Sequence, residues 1–132
     1  GWFDLRFGAG ARFRAGEDTD YLIRAHAAGV LIRYVPDMGV RHLHGRRTFA
    51  EVDRLNRNYA FANGAILAKH LRRHPWLARH LAWTVRSTVL ERIGGPKFDA
   101  AVGLTWGSVT RAQVGGILAF VGYGLRRGKA TP

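Results

Sequence analysis

A chain of 132 residues with 47% hydrophobic content is long enough for one hydrophobic core, and the absence of cysteine excludes disulfides and thiolate metal sites. The net charge of +12 is uneven: residues 1 to 40 hold five Lys/Arg against five Asp/Glu, and residues 41 to 132 hold sixteen against four. Such a surface attracts polyanions or anionic lipid headgroups, and composition alone does not choose between these and a merely solvated basic face.

The chain opens at Gly1 inside the aromatic run Trp2, Phe3 and Phe7, with no basic stretch leading into an apolar one, so we expect a fragment of a longer protein without a signal peptide. After a glycine-rich stretch from Gly8 to Gly16, Glu17-Asp18-Thr19-Asp20 predicts a helix start. Tyr21, Leu22, Ala25 and Ala28 follow at helical spacing and Gly29 stops the run. Acids suit a helix N-terminus, but one or two suffice there, so three in four residues leave a surplus for chemistry.

Val30 to Val35 is β-branched and aromatic and predicts a strand, Pro36-Asp37 a turn, and Gly39 to Leu43 a second short strand. His42 and His44, two apart, would share one face of that strand, where imidazoles can take a metal or a phosphate oxygen. Two histidines without a carboxylate or thiolate are a weak metal set, and a polar strand end is the plainer account.

Thr48 and Glu51 have the spacing of a capping box and predict a helix to about Arg73, with Val52, Leu55, Tyr59, Ala62, Ile66 and Leu67 on one face. Pro75 permits a new helix start; Leu77, Leu81, Val85, Thr88 and Val89 mark its apolar face, and Gly94-Gly95-Pro96 ends it. Arg79, His80, Arg86 and Arg92 lie opposite. From Phe98 to Leu125 the chain is apolar, and the pairs Gly103/Gly107 and Gly115/Ala119, each four apart, predict close helix packing. Arg111 and Gln113 divide this segment into two pieces, each about 20 Å long as a helix against a hydrocarbon thickness of about 30 Å. Neither piece would span a bilayer alone; a pair at the membrane surface and a buried hairpin are equal alternatives.

Gly1-Trp2-Phe3-Asp4-Leu5-Arg6-Phe7, Gly16-Glu17-Asp18-Thr19-Asp20-Tyr21-Leu22-Ile23-Arg24, Gly29, Tyr34-Val35-Pro36 and Val40-Arg41-His42-Leu43-His44 resemble, in order and spacing, the acceptor-side half of the family 2 glycosyltransferases of GT-A fold. The resemblance covers residues 1 to 47; Gly64-Ala65 and Lys69 to Arg73 are faint echoes, and Leu5 stands where the family usually has Glu. It implies an α/β fold, the C-terminal part of a Rossmann-like nucleotide-sugar transferase domain, followed by an all-helical tail. The expected divisions are an α/β part at 1–47, amphipathic basic helices at 48–94, and an apolar, glycine-rich helical hairpin at 95–132.

The implied activity is transfer of a sugar from a nucleotide-sugar donor to an acceptor hydroxyl with inversion, the acceptor being a glycan or lipid-linked. Asp18 is then the general base and Glu17 its flanking partner, while Asp20 and Arg24 form an i,i+4 scaffold pair. His42 would help hold a divalent metal, Mg or Mn, whose main Asp-x-Asp motif the chain lacks. His44, Arg46 and Arg47 would contact donor phosphate, and Trp2 and Asp4 the acceptor. The parent enzyme would sit in the cytoplasm at the inner face of the cell membrane, and the fragment alone would be inactive. The competing reading is a basic binding module: Arg46 to Arg92 would grip nucleic acid or an anionic membrane, and the acids near Asp18 would only cap a helix.

Overall fold

Gly16 takes a left-handed conformation at φ 84°, and a Cβ there would sit 2.7 Å from Ile66 Cδ1, so a glycine is required where the chain turns into α1 (Glu17–Ala27). At the other end Gly29, at φ 79°, closes a Schellman turn in which the Val30 N–H reaches the Ala25 carbonyl at 3.0 Å. This computed structural model describes residues 2–37, 39, 45 and 48–128.

The capping box forms as its spacing predicts: Glu51 N–H donates to Thr48 Oγ1 at 3.3 Å, and Thr48 N–H donates to Glu51 Oε2 at 3.0 Å. It opens α2 (Phe49–His70). Pro75 starts a 3-10 turn, Pro75–Leu77, that runs directly into α3 (Ala78–Arg92). A last long helix, α4, spans Trp106–Gly128. Arg111 and Gln113 lie inside it and do not divide it, because both are good helix formers and their polarity sets which face they occupy. No helix among the described residues is long and apolar enough to cross a membrane.

The α/β expectation is corrected: the fold is a small all-helical domain, with no strand among the described residues. Val30 to Val35 is non-helical, but among the described residues no second strand lies beside it to take its backbone N–H and C=O groups, and Leu31 and Tyr34 are each 87% exposed. The expected Rossmann-like sheet is therefore not built. Most of the second predicted strand, Gly39 to Leu43, falls outside the described residues. The pairing present is an isolated bridge between Asp99 and Leu104, where the chain turns from α3 toward α4.

α2 and α4 pack so closely that glycines are needed on both: a Cβ at Gly64 would overlap the Gln113 carbonyl, and one at Gly116 the Phe61 carbonyl. α3 joins α4 through a hydroxyl contact of 2.7 Å between Thr88 and Thr110. The loop before α1 inserts Phe7 and Phe13 against Ala65 and Ile66 of α2 and Phe120 and Tyr123 of α4. Phe13 is fully buried, with ring centroids 5.0 Å from Phe7 and 5.5 Å from Phe120. Burying each Phe contributes roughly 1.5–3 kcal/mol, so these two side chains anchor the loop to α2 and α4.

Candidate functional site

The three acids that open α1 meet three environments. Asp20 is fully buried. Its Oδ2 accepts from Arg24 Nε at 3.0 Å, and its Oδ1 lies 2.6 Å from Lys69 Nζ and 2.7 Å from His70 Nε2. Burial pushes this carboxyl up, but the hydrogen bonds from His70, Lys69 and Arg24 together outweigh it and lower its pKa from 3.8 to about 2. The expected i,i+4 pair with Arg24 is present, and α2 adds two partners that α1 alone does not reveal.

Lys69 also binds Asp4, at 2.7 Å to Oδ2, so one ammonium ties the loop before α1 to the helix itself. Asp4 takes a second cation from Arg6 at 2.6 Å. The Arg6 hydrogen bond is the largest influence on Asp4; it outweighs burial and, with Lys69, holds the carboxyl far below the ordinary carboxylate range. Asp4, an expected acceptor contact, thus has both its oxygens engaged within the fold. Trp2, the other, is 93% exposed, and its carbonyl accepts from Arg24 Nη2 at 2.8 Å.

Asp18 and Glu17 are differently placed. Asp18 is exposed, and its Oδ1 accepts from the Thr19 N–H at 2.7 Å, leaving Oδ2 without a hydrogen bond among the described residues. Glu17 is half-buried, with its carboxylate beside Gly8. Both line a cleft of about 370 Å³ whose other walls include Gly10, Arg14, Asn58 and Tyr59. Arg14 adopts a left-handed backbone, φ 71°, uncommon for a residue with a side chain. It donates to Asn58 Oδ1 at 3.2 Å, and its guanidinium lies 4.2 Å from the centre of the Phe61 ring.

A second cavity, of about 290 Å³, begins at Thr19 and Ile23 on another face of α1 and runs between Trp76, Trp83 and Gln113. Gln113 is buried, and its Oε1 has no hydrogen-bond partner among the described residues. Of the basic residues expected on α3, Arg79 and His80 line a shallow groove with Trp76 and Trp83, while the expected apolar face is not wholly buried: Val85 and Val89 are exposed and Thr84 and Ser87 are buried instead.

His42, His44, Arg46 and Arg47, the expected metal and donor-phosphate residues, lie outside the described residues. Among those described, no group of three or more His, Asp or Glu side chains is arranged to hold a metal ion. Sequence reasoning missed the roles of Lys69, His70 and Arg14. The available signal for the first two was a cation and an imidazole at the end of the α2 face that carries Ile66, where a continued apolar stripe would place apolar residues. Compared with protein-family models, curated proteins and solved structures, the chain has no match.

Proposed function

We propose that the chain contributes the acceptor side of a glycosyltransferase, which moves a sugar from a nucleotide-sugar donor to an acceptor hydroxyl with inversion. The observation that carries this reading is the separation of the acids: Asp20 is fully buried among cations, while Asp18 and Glu17 border an open cleft. Helix capping would not require an acid that lines a cleft of that size with one oxygen unpaired among the described residues. Support comes from the acids, the cleft and the motif order, since the fold is helical and fold alone would not license a function.

In this reading the acceptor hydroxyl lies against Asp18 Oδ2. The carboxylate takes the proton as the acceptor oxygen bonds to the anomeric carbon, and the bond from that carbon to the nucleoside diphosphate breaks. Glu17 orients the acceptor. His42, expected to help hold the Mg or Mn that the resemblance implies, lies outside the described residues, and no step is drawn through a metal. The exposed indoles of Trp76 and Trp83 beside Arg79 suit an anionic interface, consistent with a lipid-linked or envelope acceptor presented at the inner face of the cell membrane.

The test is acceptor-dependent release of nucleoside diphosphate by the full-length protein, scanned over nucleotide-sugar donors and glycan or lipid-linked acceptors. We expect at least one donor to give release that rises with added acceptor. Absence of release with every donor, together with nucleic-acid binding that weakens steeply with salt, would favour the binding-module reading instead.

A further inference from the structure

We propose that the cleft between α2 and α4 bordered by Arg14, Arg57 and Arg111 is a binding site for a phosphate dianion, either a phosphate monoester or a diphosphate. The cleft measures about 260 Å³, and Ser108 and Phe61 complete its walls. Its three cations come from three separate segments: the loop before α1, the middle of α2 and the first half of α4. The tight α2–α4 crossing at Gly64 and Gly116 is what brings the last two together.

The charge balance at this cleft points to an anion. Arg57 is paired with Asp53, at 3.0 and 2.9 Å from Nε to the two carboxylate oxygens. Arg14 is held by the neutral Asn58 and the Phe61 ring. Arg111 is exposed and forms no ion pair among the described residues. The lining of this cleft carries three guanidiniums and no carboxylate, one of them paired outside the lining with Asp53, so it favours an anion such as a phosphate monoester, which carries about −1.5 to −2. Planar guanidinium forks also match phosphate oxygens in geometry, which ammonium groups do not.

Arg14 adds a second line of argument. Its left-handed backbone is unfavourable for a residue with a side chain, and such conformations persist where the surrounding structure holds them. Here it is held by Asn58 and Phe61, and its guanidinium borders both this cleft and the one containing Asp18. Glu17 and Asp18 line that neighbouring cleft and not this one. The inference stands apart from the transferase reading, because binding is measured without a donor or turnover.

The experiment is titration calorimetry of the protein with inorganic phosphate and pyrophosphate, beside flotation with phosphatidylcholine vesicles with and without phosphatidic acid. Arg111→Gln removes the unpaired guanidinium without breaking an internal ion pair, and Arg126→Gln, exposed near the end of α4, is the control. We expect saturable binding of at least one of the two phosphate sources, weakened about tenfold by Arg111→Gln and unchanged by Arg126→Gln. Binding of the free anions identifies a soluble ligand, and binding confined to phosphatidic acid vesicles identifies a headgroup. No binding of either source, no effect of Arg111→Gln, or equal weakening by Arg126→Gln would each overturn the proposal.

Discussion

Asp20→Asn will destabilise the protein by about 3–5 kcal/mol, the loss expected when one partner is removed from a buried ionic cluster. The carboxylate is fully buried and meets Arg24, Lys69 and His70, so the amide leaves Lys69 with Asp4 as its remaining anion. The contribution depends on pH in a defined direction. The folded pKa is about 2, below the ordinary 3.8, so the stabilisation is fully present above the unfolded value and is lost as pH falls from about 3.8 through 2. That shift corresponds to about 2 kcal/mol. Urea denaturation at pH 7 reads the first effect, and a series between pH 5 and 2 reads the second. A loss below about 1 kcal/mol at pH 7 would mean that the cluster does not hold α1 to α2.

The second large effect is steric and has opposite signs at two glycines, one in α2 and one in α4. Gly64→Val will cost about 3 kcal/mol, because its branched side chain must displace the α4 backbone at Gln113 rather than a movable side-chain tip. Gly122→Ala, in α4 with nothing within 4 Å of a Cβ, will instead gain about 0.5–1 kcal/mol from helix propensity. Thermal denaturation of both variants checks the pair. If Gly64→Val melts with the wild type, the two helices do not cross as closely as described.

Local features of this fold were legible in the sequence where local chemistry decides them. The capping box at Thr48 and Glu51 forms, Gly29 ends α1, and Pro75 opens a new helical segment. α2 ends at His70, three residues before the expected Arg73, because the chain turns there toward the 3-10 segment. The strand expected at Val30 to Val35 failed for a non-local reason: β-branched residues favour extension, but a strand needs a neighbour and the described residues supply none. Of the two small-residue pairs expected at a close approach, Gly115 and Ala119 pack against α2, but Gly103 has nothing within 4 Å of a Cβ and Gly107 makes only ordinary contacts; the residue that meets α2 backbone is Gly116.

The candidate site follows the same division. The Asp20–Arg24 pair was readable from its i,i+4 spacing. Its partners Lys69 and His70 were not, since nothing in α1 encodes which turn of α2 will cover it. Nor does the run Glu17-Asp18-Thr19-Asp20 say which acid will be buried; α2 packing over one side of α1 decides that. The three arginines of the α2–α4 cleft were likewise invisible in sequence, because the helix crossing assembles them.

The most direct test of the proposed base is sugar transfer by the full-length protein carrying Asp18→Asn, with donor affinity measured on the same preparation. Asp18 is exposed, and its hydrogen bonds among the described residues go only to Thr19, so the variant should fold as the wild type does. We predict a fall in kcat of about 10²–10⁴-fold with donor binding intact. A variant that folds and keeps most of its transfer activity would contradict the assignment of Asp18 and, with it, the functional account of the cleft.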